Sequence, residues 1–320
     1  MTDSATVQAR HGRVVEGKAG FDQPGHRTLF DEFEVGREYP PVEWIITNEL
    51  LDKQLVISGE YHEWYVHDSP WGGRIAPMWI NWRSVRALTQ DMYNLRGLAY
   101  HYECENFAPL QPGVKYRLNL RLADKWKARG RGYVKYEATC FDPQGHMVFR
   151  TFRTHAIDVV DDAGRARTSA EAEPWPMGDP IKRVDRNTPI GYELPPMSLD
   201  HSVGAMIAYE LASFVPPRNI HTDQEAAEHE GLPAPIGTGP HFGSTVSRMM
   251  MAAFEEGWIE GGKISLKLIA PTFAAEVLTA KGIVREKTPE GDALRFICEV
   301  WIENQRGRKV AVGEASALVR

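Results

Sequence analysis

Two stretches of the chain carry apolar residues at helical spacing. Met78, Trp82, Val85, Leu88, Met92 and Leu95 fall three or four positions apart, as do Phe242, Val246, Met249, Met250, Ala253 and Phe254. Each stripe predicts one long helix with a buried face. Strand-like segments follow each stripe: Val114–Trp126, Tyr133–Phe141 and Met147–Val160 after the first, and Val277–Glu286, Ala293–Ile302 and Lys309–Val319 after the second. Breaks such as Lys287-Thr288-Pro289-Glu290-Gly291-Asp292 have the composition of hairpin loops. One helix followed by a run of antiparallel strands is an α+β arrangement, with the helix covering one face of the sheet. The Met, Trp and Phe stripes are read as core.

The pattern is written twice. Pro109 and Pro271 each stand in an Ala-Pro pair expected to open a strand. The turn glycines Gly145 and Gly307 are separated by the same offset, and so are Pro77 and Gly239. Three features on one offset predict an internal duplication. Between the copies Pro174, Pro176, Pro180, Pro189, Pro195 and Pro196 crowd a stretch without periodicity, the mark of a linker. The predicted organisation is an N-terminal repeat over 28–160, a Pro-rich linker over 161–196 and a C-terminal repeat over 197–320.

Composition narrows the function classes. With 320 residues, 42% hydrophobic and 25% charged, the chain resembles an average soluble protein and has room for two domains. Its net charge is −6, and the one short basic cluster is Lys125, Lys127, Arg129 and Arg131. Nucleic acid is therefore not an expected partner. The longest apolar run, Met249–Phe254, has six residues, against about 20 for a membrane span. Met1–Arg27 is polar and lacks an apolar segment of signal-peptide type, so a cytoplasmic protein without membrane contact is expected. Cys104, Cys140 and Cys298 are widely spaced and are read as buried small side chains, neither disulfides nor metal ligands. No phosphate-cradling glycine loop is present, and no metal or redox cofactor is expected.

A resemblance enters at Asn219-Ile220-His221-Thr222-Asp223, followed by Ala226-Ala227 and Pro235-Ile236-Gly237-Thr238-Gly239. This segment resembles the hydration motif of MaoC-like dehydratases and (R)-specific enoyl-CoA hydratases. The first half resembles the N-terminal dehydratase-like repeat of double-hotdog members through Ser69-Pro70-Trp71-Gly72-Gly73-Arg74-Ile75-Ala76-Pro77 and Glu105-Asn106-Phe107-Ala108-Pro109. The resemblance implies a double hotdog, two antiparallel sheets each wrapped on a long central helix and paired edge to edge. It also implies hydration of a 2-enoyl-CoA or dehydration of a 3-hydroxyacyl-CoA, with the acyl-CoA as substrate and as the only source of CoA. A homodimer or a second hydratase chain is the partner it allows.

Adding water across a double bond conjugated to a thioester needs a base for the water and a donor for the enolate-like oxygen. His221 is the candidate base. Gly239, where the second helix is predicted to begin, offers an N–H without an intrahelical partner. Asn219 and Asp223 are candidate orienting groups, Asp223 doubling as a helix N-cap. The family pattern places an acid five residues before the histidine and an asparagine three before it, where this chain has Pro216 and Arg218. The same alignment on the first half gives Glu60 at the acid position, His62 at the asparagine, Tyr65 at the histidine and Pro77 at the oxyanion glycine. Neither repeat holds the full set, and a composite of Glu60 with His221 is one way to complete it. A weaker likeness to polyketide-type dehydratases rests on Gly72 and Pro77, with Asp68 where those enzymes carry histidine. Two alternatives stay open: a hotdog thioesterase and a non-catalytic acyl-CoA-binding subunit.

Overall fold

A computed structural model of the chain describes residues 6–8, 14–16, 30–82, 84, 97–158, 183–212, 219–229 and 232–320. Strands β1 (Thr6–Gln8) and β2 (Val14–Glu16) pair with each other. The first half then runs β3 (Glu38–Ile45), α1 (Asn48–Ser58), α2 (Glu63–Val66), a 3-10 turn at Met78–Asn81, β4 (Gly97–Asn106), β5 (Lys115–Ala128), β6 (Arg131–Phe141) and β7 (Met147–Asp158). The second runs β8 (Met197–His201), α3 (Val203–Ala212), α4 (Gln224–His229), α5 (Gly239–Phe254), α6 (Glu256–Gly261), β9 (Lys263–Leu268), β10 (Glu276–Glu290), β11 (Ala293–Asn304) and β12 (Lys309–Val319).

Duplication is visible bond by bond. β6 and β11 begin at 131 and 293, and β7 and β12 at 147 and 309, the same offset that separates Gly145 from Gly307. Phe107 N–H donates to Val148 O, and at the matching positions of the second half Ile269 N–H donates to Val310 O. The ten strands β3 to β12 form one antiparallel sheet in the order β3-β5-β6-β7-β4-β9-β12-β11-β10-β8, which reads as the same five-strand set from either end. Its middle is the β4–β9 pair, registered from His101 opposite Lys267 to Glu105 opposite Lys263. The two sheets thus pair edge to edge, and each half covers one edge of the other.

Several expectations need correction. Ala108-Pro109 and Ala270-Pro271 follow β4 and β9; they do not open strands, as befits proline, which cannot donate to a ladder. The hairpin loop expected over 287–292 is only Gly291-Asp292: β10 runs on to Glu290 with Pro289 opposite Leu294. Gly291 has φ 62°, the first central position of a two-residue turn that needs positive φ. The matching turn in the first half, Arg129-Gly130, has φ 51° and 72°. Beside it, Lys125 and Lys127 place their ammonium groups 5.1 and 5.0 Å from the Phe30 ring centroid.

The second stripe forms a 16-residue helix, α5, and Phe242, Val246, Met249, Met250, Ala253 and Phe254 are all buried in it. The first begins as the 3-10 turn Met78–Asn81; Val85, Leu88, Met92 and Leu95 lie outside the described residues. Met78, Trp79 and Trp82 are nonetheless core, in one hydrophobic cluster that spans both halves. The two helix starts meet across the pseudo-twofold axis, where Trp79 Nε1 donates to Pro240 O at 2.8 Å. Of the expected linker, 161–182 lies outside the described residues. Its remainder is tied to the second half: Val184 N–H donates to Ala253 O and Leu194 N–H to Gly282 O, and both side chains are buried. All three cysteines are free and buried. Among the described residues no helix is long and apolar enough to cross a membrane, and no His/Cys/Asp/Glu group is arranged to hold a metal ion.

Candidate active site

The loop before α4 is a set of local turns built on Asn219. Its carbonyl accepts the N–H groups of Thr222 and Asp223, and its Oδ1 accepts the His221 N–H at 2.7 Å. Asp223 caps α4, Oδ1 accepting Ala226 N–H at 2.9 Å, so its carboxylate is committed to the helix end. His221 is half-buried, and its Nδ1 lies 2.8 Å from Ile236 O. A carbonyl oxygen only accepts, so Nδ1 carries the proton and Nε2 keeps a free lone pair. That is the tautomer a general base needs.

The segment that brings Ile236 against His221 leads on into α5. Thr238 is the N-cap residue and Gly239 supplies the first N–H of the helix, a position with no intrahelical acceptor. A Cβ on Gly239 would stand 2.6 Å from Leu268 Cδ1 and 3.4 Å from the Tyr102 hydroxyl. A side chain there would have to push Leu268 aside, and Tyr102 brings the first half's β4 to the edge of this site.

A buried acid is present, though not where the motif puts it. Glu210 of α3 has no exposed surface; Oε1 accepts from Thr238 Oγ1 at 2.7 Å and Oε2 from Asn219 Nδ2 at 3.3 Å. Asn219 therefore joins the Glu210 carboxyl on one side to the His221 backbone on the other. Pro216 and Arg218, which stand at the family's acid and asparagine positions, lie outside the described residues. Glu210 had one signal in the sequence: it is the only charged residue in the apolar helix Val203–Ala212.

Deeper than His221 lie two histidines the motif does not contain, His201 at the end of β8 and His241 in the first turn of α5, both fully buried. Their ring centroids are 5.3 Å apart. His241 Nε2 donates to Ile57 O at 3.0 Å, and its ring stacks at 4.4 Å on Tyr209, which stacks in turn on Trp82. Burial pushes His201 down to about 3, with His241 and His221 adding like-charge repulsion. Burial likewise pushes His241 down to about 4, partly offset by its bond to Ile57 and by Glu210. Both are neutral imidazoles at neutral pH.

Glu60 lies apart from this cluster. It is buried, accepts from Ser58 Oγ at 3.2 Å, and is pushed up to about 8 by desolvation, against which Arg248 and Ser58 act. Arg248 lies nine residues along α5 from Gly239, about 13 Å at helical rise. The neighbours of Glu60 are Arg248, Ser58 and Tyr65, whose hydroxyl is pushed well up by burial and by Glu60. The structure thus places His221, Asn219 and Asp223 on one loop, bonded to the segment that leads into Gly239, and sets Glu60 elsewhere, beside Ser58 and Arg248. His62 caps α2, its Nδ1 accepting Trp64 N–H at 3.3 Å, and Pro77 caps the 3-10 turn with no N–H to offer.

No protein-family model and no curated protein sequence matches this chain. Solved structures do. A MaoC-like dehydratase superposes with a TM-score of 0.72 at 19% identity, covering 89% of this chain and 98% of that one. A MaoC domain dehydratase from Chloroflexus aurantiacus gives 0.69 at 13%, covering 92% and 97%. A conserved hypothetical protein from Mycobacterium tuberculosis, described as having a double hotdog fold, gives 0.61 at 14%, covering 91% and 98%. At these identities the likeness establishes the fold: the chain shares the hotdog fold of MaoC-like dehydratases.

Proposed function

We propose that the chain hydrates 2-enoyl-CoA thioesters, or dehydrates 3-hydroxyacyl-CoA thioesters, at the site formed by His221, Asn219, Gly239 and Glu210, in a double hotdog whose first half carries its own long central helix. One observation carries the reading: the Nδ1–H bond from His221 to Ile236 O leaves Nε2 as a base beside the N-terminus of α5. In the hydration direction, Nε2 takes a proton from water as the water oxygen bonds to C3. The electron pair of the double bond moves toward the thioester oxygen, which the Gly239 N–H and the helix dipole stabilise. C2 then receives the proton, the thioester carbonyl re-forms, and the elements of water have been added with the protein unchanged. Glu210 lies one hydrogen-bonded amide from His221 and balances the charge on the imidazolium during turnover. Asn219 holds the two groups in register, and Asp223 fixes the loop by capping α4.

The test is a panel of short 2-enoyl-CoAs, following loss of enoyl absorbance and thiol release in parallel, with His221→Ala as control. Loss of enoyl absorbance without thiol, abolished in the variant, is the expected result. Thiol release would make the protein a thioesterase. Acyl-CoA binding without either signal would make it a binding subunit of a two-chain hydratase; either outcome overturns the proposal.

A further inference from the structure

Four polar atoms near the candidate site are buried and have no hydrogen-bond partner among the described residues: Nδ1 and Nε2 of His201, Nδ1 of His241 and Oγ1 of Thr272. Leaving such groups unmet costs about 1–3 kcal/mol each, so their coincidence in one place points to an occupant. Two of them converge on Gly237, and the His241 ring lies next to them. A methyl built on Gly237 would overlap Thr272 Oγ1 and stand 2.6 Å from His201 Cε1 and Nε2. His201 in turn packs against His241. His201 and His241 have no exposed surface and Thr272 almost none, whereas His221 is half-buried. A CoA moiety must stay at the surface, so in the acyl-CoA reading of the site the far end of the acyl chain is the part that would reach these three side chains.

Their hydrogen-bonding needs define the group they take. His241 gives its Nε2 proton to Ile57 O, so its Nδ1 is an acceptor in need of a donor. His201, as a neutral imidazole, offers one donor and one acceptor, and Thr272 offers either. A carboxylate or ketone only accepts and would leave His241 Nδ1 unmet. An ammonium only donates and would leave the His201 N–H unmet. A hydroxyl does both. We propose that His201, His241 and Thr272 form a subsite for an uncharged hydroxyl carried by the acyl chain beyond its reacting carbons. The proposal rests on the acyl-CoA reading of the site and deepens it: the substrate class becomes hydroxylated acyl-CoAs.

The test measures binding, not turnover. Saturated acyl-CoAs of one chain length, either plain or with a single hydroxyl on carbon 4, 5 or 6, cannot be hydrated or dehydrated at carbons 2 and 3. Calorimetric titration should show one hydroxyl isomer binding at least about tenfold tighter than the plain chain, the worth of one or two extra hydrogen bonds. Thr272→Val, close in shape, and His201→Phe should each reduce that preference while leaving the affinity for the plain chain within a few-fold. Equal affinity for all chains overturns the proposal and leaves bound water as the occupant. A preference that survives both substitutions also overturns it, as does an absence of binding by every chain. Enoyl-CoA turnover is assayed on the same preparations, so a hydratase with no hydroxyl preference is told apart from a protein that is no hydratase.

Discussion

Replacing Glu210 by glutamine separates its charge from its shape. The side chains are nearly isosteric. With its amide oxygen toward Asn219 Nδ2, now at 3.3 Å from Oε2, the new NH2 faces Thr238 Oγ1, now at 2.7 Å from Oε1. The threonine hydroxyl can turn from donor to acceptor. Both contacts survive, so stability should change by less than about 1 kcal/mol. What disappears is the carboxyl's ability to carry a negative charge opposite a protonated His221. The Asn219 amide reaches the His221 backbone, with the ring beyond it, and at an effective dielectric of about 20 two unit charges roughly 8–10 Å apart are coupled by at most about 2 kcal/mol. Glu210→Gln should therefore lower kcat/KM for enoyl-CoA hydration by up to about thirtyfold, with the melting temperature nearly unchanged. Glu210→Ala should lose both activity and stability, because Thr238 and Asn219 each lose a buried acceptor. A Glu210→Gln enzyme within threefold of wild type, with His221→Ala inactive, would refute the electrostatic role and leave Glu210 as scaffold.

Two further outcomes test the fold itself. Glu60 is pushed up to about 8 in the folded chain from an ordinary 4.5, so between those values the folded state holds a proton that the unfolded state has lost. Stability from this group falls as pH rises from about 4.5 to 8, and Glu60→Gln should stabilise by up to about 3 kcal/mol at pH 7 and not at all at pH 4; a pH-independent difference in denaturation midpoint would contradict this. Gly257 lets α6 lie on β12, since a Cβ there would overlap the Leu318 carbonyl oxygen. Gly257→Ala should cost about 2 kcal/mol or more by chemical denaturation, and a wild-type midpoint would show that the helix is not packed as described.

The strands after each helix were legible because they are long and end in turn residues: β6, β7, β11 and β12 begin within two residues of where the pattern places them. The seam strands β4 and β9 were not. Their outward face carries His101, Glu103, Glu105, Lys263 and Lys267, whose partners are known only once the halves are paired. The loop Asn219–Asp223 was legible through its spacing. Glu210, His201 and His241 were not, since a lone polar residue in an apolar stretch takes its meaning from what folds against it. The constant offset between the copies exposed the duplication but not the division of labour, because Gly239 and Pro77 occupy matching positions and differ by one N–H.

The β4–β9 seam also has a consequence during synthesis. A ribosome that has finished β4 at Asn106 must add everything from Phe107 to Gly262 before it begins the partner strand at Lys263. At roughly 5–20 residues per second, that takes roughly 8–30 seconds. Once β7 has been made and paired with β4, the nascent first half still displays a ten-residue strand with one edge unpaired. Two chains on one polysome present the same edge at the same moment. Glu103 and Glu105, the second of which meets Lys263 across the seam in the finished molecule, sit on that edge throughout the wait, and like charges brought together there disfavour its pairing with a neighbouring copy.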